Sequence, residues 1–165
     1  MRKSIAIGLA MLLALAAGCA PKTFSGNTLV HQGPVPEMVP DKNTAVVTFY
    51  RPIEVVGSLL SFFVQENGEN IGGLKNGTYF SVRTSPGIHT YTAAGPVIED
   101  DAITVTTKAN STTYIESTIS PGTSWRPTPR LREIPAVTAK TEIPRLKYIE
   151  FSPGGQWGQS NAYGY

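Results

Sequence analysis

Between residues 45 and 151 the apolar and polar positions recur with the period of β-strands rather than helices. Ala45 to Arg51 is rich in β-branched and aromatic residues, and Leu60 to Gln65 is similar. In Thr78 to Arg83, Phe80 and Val82 alternate with Tyr79, Ser81 and Arg83; Ile88 to Ala93, Ala102 to Lys108 and Thr112 to Ile119 continue the pattern. Turn residues fall between these runs. Asn67-Gly68 predicts a tight hairpin, and Asn76-Gly77, Ser85-Pro86-Gly87 and Asn110-Ser111 predict further reversals. Past Pro121, Leu131 to Ile134 predicts another strand. Ala139, Ile143 and Leu146 suit a short helix near 136–145 that Pro144 keeps from being long, and Tyr148 to Phe151 predicts a closing strand. The expected fold is all-β: an antiparallel β-sandwich or small barrel of about seven or eight short strands.

The flanks read differently. Residues 20–44 hold Pro21, Pro34, Pro36 and Pro40 with Gly26 and Gly33, so 19–44 is expected to be a flexible tether reaching at most about 80 Å when extended. Ser152 to Tyr165 is rich in Gly, Gln and Tyr with no aliphatic residue larger than Ala162, and predicts a disordered tail. Its Trp157, Tyr163 and Tyr165 offer an alternative role as a segment that docks on a partner's sheet edge. The β domain is accordingly bounded at 45–151.

At the amino terminus Met1-Arg2-Lys3 precedes an apolar stretch from Ile5 to Leu15, the order of an export signal over residues 1–18. That stretch is shorter than the roughly 20 residues of a permanent span. Leu15-Ala16-Ala17-Gly18-Cys19 resembles the lipobox of bacterial lipoprotein precursors. The resemblance implies a diacylglyceryl group on Cys19, cleavage after Gly18 and acylation of the new amino group, typically with palmitate. Two or more chains make a stable anchor where one gives only reversible binding. Cys19 is the single cysteine of the chain, so no internal disulfide exists. In bacteria with two membranes Ala20, in place of an aspartate, implies the outer membrane, with the domain facing the periplasm.

Charge changes the picture once the signal is removed. The precursor holds 14 basic and 12 acidic residues, and Arg2 and Lys3 leave with the signal, so the mature chain is formally neutral. No electrostatic case for nucleic acid remains. With 41% hydrophobic and 16% charged residues the chain is not of disordered composition overall.

Ala45 to Pro52, Ile71-Gly72-Gly73-Leu74, Asn76 to Phe80, Pro86-Gly87-Ile88-His89 and Thr113-Tyr114-Ile115 resemble the bacterial lipoprotein family catalogued as domain of unknown function 2846. The resemblance covers about two thirds of the mature chain. It implies an all-β envelope lipoprotein and no catalytic residue.

A direct search for chemistry gives the same expectation. No G-x-S-x-G elbow occurs, Cys19 is blocked by lipid, and His31 falls in the tether, which leaves His89 as a strand residue on the face of Tyr91. One histidine cannot build a zinc site without several carboxylates. Glu99-Asp100-Asp101 lacks calcium-loop spacing and predicts a solvated turn, and Gly72-Gly73 lacks the lysine of a phosphate loop. No cofactor is expected. The candidate partner-binding residues are Trp125, Arg126, Arg130 and Arg132, since Trp and Arg are enriched at interaction hot spots. Envelope proteins or an anionic polymer are the partners they suit. The plainer alternative is that Trp125 plugs the β core while the arginines are solvated. The expected function is a structural or protein-interaction role for a non-catalytic domain, the alternative being a small-ligand or glycan-binding module or, less favoured, a weak hydrolase.

Overall fold

The computed structural model describes residues 25–30, 35, 38–95, 100–121 and 127–156, with side chains described outside 25–30 and 152–156. Ten strands form: β1 Ser25–Val30, β2 Ala45–Arg51, β3 Phe62–Glu66, β4 Glu69–Leu74, β5 Thr78–Thr84, β6 Gly87–Ala94, β7 Asp101–Thr107, β8 Thr112–Ser120, β9 Thr128–Ile134 and β10 Lys147–Gln156. They make a six-stranded sheet in the order β1-β10-β5-β2-β8-β9 and a four-stranded sheet in the order β4-β3-β6-β7. The all-β sandwich is as the periodicity predicts.

The strongest strand signal takes the most buried place. All seven residues of β2 are buried, because it lies between β5 and β8 with one face on the core and the other partly under a helix. Val47 and Phe49 point to the core, where they meet Phe80 and Ile115 from their own sheet and Phe62, Val64, Leu74, Tyr91 and Val105 from the other. Phe49 stacks on Phe80 at 5.1 Å and meets Tyr91 edge-on at 4.9 Å. Each such buried aromatic contributes on the order of 2 kcal/mol from area alone. The Phe80 ring lies so close over Gly72 that a Cβ there would stand 2.2 Å from it. Gly72 of β4 is therefore a packing requirement.

Turn chemistry explains the hairpins. Asn67 at φ 52° and Gly68 at φ 81° both adopt the left-handed region, as a two-residue turn matching strand twist requires. Asn110, at φ 57°, donates its N–H to the carbonyls of Asp41 and Thr44, both at 2.9 Å, and so ties the start of β8 to the start of β2. After Pro135, α1 spans Ala136–Glu142 and seats Ala139 on the sheet. Pro144 then forces a 3-10 turn over Ile143–Arg145.

Three expectations are corrected. The sheets are not wholly antiparallel: β2 pairs with β8 in parallel, as does β10 with β5 at Lys147 and Tyr148. Strands brought together from distant parts of the chain are free to run either way, which hairpin turns cannot predict. Among the described residues the strands number ten, against the expected seven or eight or so. Finally, residues 25–30, expected in the tether, form β1, and residues 152–156, expected in the tail, extend β10; the two pair antiparallel from Val30↔Ile149 to Ser25↔Gln156. Main-chain hydrogen bonds do not require apolar alternation. Beyond Tyr148, β10 has left β5, and the polar β1 covers the exposed edge. The register breaks between Ser25 and Gly26, opposite Pro153, which has no N–H to offer. Phe151 of β10 meets Phe63 of β3 edge-on at 6.3 Å and brings this ribbon onto the four-stranded sheet. Residues 157–165 lie outside the described residues.

Candidate interaction surface

The connection from β2 to β3 carries the most exposed aliphatic residues described. Ile53 is 71% exposed, Val55 93%, Val56 56% and Leu59 97%. Such a group on a surface marks a binding site when the backbone beneath it is fixed. Here it is fixed from both sides.

Arg51, the last residue of β2, falls on the core face by alternation and is fully buried. Its guanidinium turns along the loop: Nη1 donates to the Leu60 carbonyl at 2.7 Å and Nη2 to the Gly57 carbonyl at 2.6 Å. The Phe62 ring lies 5.9 Å beneath it. Burial pushes the Arg51 pKa down and nearby Glu54 opposes that shift. Asn76 clamps the other limb, accepting from the Glu54 N–H at 2.9 Å and donating to the Glu54 carbonyl at 3.0 Å. The Glu54 carboxylate points back to the domain and accepts from the Ile119 N–H at 3.4 Å. Gly57, at φ 70°, packs where a Cβ would stand 2.8 Å from Ile119. Two successive turns, Ser58 N–H to Val55 carbonyl at 3.3 Å and Leu60 N–H to Gly57 carbonyl at 2.8 Å, complete the tip. The outcome is a shaped loop whose one carboxylate is withdrawn and whose aliphatic side chains face water.

Sequence reasoning missed this surface. The signal was present as four aliphatic residues between Pro52 and Leu60 that no predicted strand claimed, but apolar residues ordinarily imply burial.

The sequence-predicted site residues divide. Cys19, Trp125 and Arg126 lie outside the described residues, as do His31 and Glu99. Arg130 and Arg132 share the outward face of β9 and are exposed, yet each is paired: Arg130 Nη1 lies 3.6 Å from Asp101 and Arg132 Nη2 lies 2.7 Å from Glu116. Hydrogen bonding to Glu116 raises the pKa of Arg132. Glu116 also accepts from the Tyr50 hydroxyl at 3.2 Å, and Asp101 accepts the Leu131 N–H at 2.9 Å. Half of the predicted cluster is therefore charge-compensated within the domain. Asp101, read as part of a solvated turn, instead ties β7 to β9.

His89 stacks on Tyr91 at 6.0 Å, on the face expected. Its Nδ1 lies 2.6 Å from the Glu66 carboxylate and its Nε2 2.9 Å from the Ser85 carbonyl. Both ring nitrogens therefore have partners within the domain. A groove of about 210 Å³ opens on the outer face of the six-stranded sheet beside α1. Its floor is the cross-strand row Ser81, Thr48 and Tyr114, with Tyr79 and Lys140 at the sides. Thr48 and Ser81 hydroxyls bond each other at 2.9 Å. His89 is not part of this groove, nor is any carboxylate.

Comparison with known proteins adds no relative: no family model, no curated protein and no solved structure matches this chain.

Proposed function

We propose that this chain is a bacterial envelope lipoprotein, acylated at Cys19 and held at the outer membrane facing the periplasm, whose β sandwich is a non-catalytic interaction module. Kinship with the family of domain of unknown function 2846 belongs to the same proposal and rests on the motifs quoted above. The observation that carries the interaction role is the apolar loop 52–60, held in shape by Arg51 and Asn76 while Ile53, Val55, Val56 and Leu59 stay exposed. Preordering the contact residues lowers the entropy lost on docking. The engagement of both His89 nitrogens supports the non-catalytic reading.

The test is a photo-crosslinking residue placed at Leu59 in the full chain in intact cells, with Lys42, exposed at the opposite end of β2, as the control site. Adducts expected at 59 and not at 42 identify the loop as a contact surface. Equal, diffuse labelling at both sites contradicts it. The alternative, a small-ligand or glycan-binding module, would use the groove beside α1. Two of its floor hydroxyls, those of Thr48 and Ser81, already bond each other, so the loop is the stronger site.

A further inference from the structure

We infer that loop 52–60 docks on the lipid surface that carries the anchor, its aliphatic tip entering the interface and a basic rim facing the headgroups. This deepens the reading of an acylated Cys19 and rests on it. Three observations converge.

The first is the reach of the anchor. With β1 paired to β10, five residues separate Cys19 from Ser25, six Cα–Cα steps in all. They span at most about 20 Å. The expected 80 Å tether is thereby lost, and the domain cannot stand clear of the bilayer. From Ser25 back to Val30 is about 17 Å of strand. Val30 lies opposite Ile149, two residues from Lys147, which is on the flank of the loop. The short link is thus long enough to return to the loop's end of the domain.

The second is the charge around the tip. The Gly77 N–H meets the Pro52 carbonyl at 3.4 Å, and the Gly77 carbonyl accepts from the Lys147 N–H at 3.0 Å. That chain of contacts brings Arg145 and Lys147, both exposed, near the loop. Glu54 is withdrawn toward Ile119, and Glu142 precedes the 3-10 turn. Aliphatic side chains framed by lysine and arginine are what a surface with apolar interior and anionic headgroups recognises.

The third is order. A chain that is tethered but free to roll rests on whichever surface gains most from leaving water, and the fixed backbone here keeps all four aliphatic residues outward.

The experiment uses the acylated full chain reconstituted in phosphatidylglycerol-containing vesicles. Because the acyl group blocks Cys19, a cysteine introduced by Leu59→Cys or Lys42→Cys is the single thiol open to an environment-sensitive dye. Entry into the interface is expected to blue-shift the dye at 59, and brominated lipids to quench it, several-fold more than at 42. In the mature Cys19→Ser chain, residues 19–165 with neither signal nor acyl group, Val55→Ser with Leu59→Ser should weaken vesicle binding at least roughly tenfold while leaving the thermal midpoint unchanged. A vesicle-bound chain whose dye at 59 remains in water overturns the docking and leaves the anchor intact. A chain that carries no acyl group and does not partition overturns the anchor itself. Crosslinks from 59 to a protein, in place of lipid, overturn the docking while keeping the loop as an interaction surface.

Discussion

Arg51 shows how one side chain shapes the candidate surface. A buried guanidinium is costly unless its N–H groups find acceptors, and here two loop carbonyls supply them for Nη1 and Nη2, while Nε has no partner among the described residues. Arg51→Met keeps the apolar stem but leaves both carbonyls without a charged donor. We expect a loss of about 3 kcal/mol in denaturant unfolding and faster limited proteolysis between Ile53 and Leu59. Unchanged proteolysis would show that the loop is held by Asn76 alone. Gly72 makes a second residue-scale case. Gly72→Ala drives a Cβ into a Phe80 ring that is itself stacked on Phe49 and cannot withdraw, at a cost of about 1–3 kcal/mol. Adding Phe80→Leu should recover part of that loss, and a double-mutant cycle measures the coupling. Neither role is legible in the sequence. Arg51 reads as a charge ending a strand, and Gly72-Gly73 reads as a failed phosphate loop.

At the level of elements, what was legible is what local chemistry determines. The Asn67-Gly68 hairpin, the interruption of α1 by Pro144 and the alternating run of β5 follow from residues close in sequence. The pairing of β1 with β10 does not, since Ser25 and Gln156 come from opposite ends of the chain and their segments are polar and glycine-containing. The parallel joining of β2 to β8 was hidden for the same reason. Loop 52–60 was legible only as apolar residues lacking an element, because exposure depends on what the fold leaves uncovered. The β1 assignment makes its own prediction. In hydrogen exchange, the amides of residues 26–30 that bond to β10 should exchange many-fold more slowly than free-chain amides, whereas a tether would exchange at the free rate.

For the molecule as a whole, buried tyrosines set a pH limit. Burial and the nearby Glu116 raise Tyr50 above the ordinary tyrosine value of 10.0, and burial with Glu66 does the same for Tyr91. The folded state therefore holds these protons more tightly than the unfolded chain. Their contribution is complete below pH 10 and is lost as the pH climbs above it, by about 1.4 kcal/mol per pH unit for each group. Thermal midpoints should be level through neutral pH and fall steeply above pH 10, with late tyrosinate absorbance that coincides with unfolding. Early, fully reversible ionisation of every tyrosine would contradict this.

The same scale contains the central claim, because a short link from Cys19 to β1, an apolar loop and a basic rim form one design only if lipid holds the start of the chain. The direct measurement is palmitate labelling and membrane fractionation of the parent chain beside Cys19→Ser. The parent should label and sediment with the outer membrane, and the variant should lose the label and accumulate as unprocessed precursor. Equal palmitate incorporation in both, or a parent recovered unlabelled in the soluble periplasmic fraction, would contradict the account.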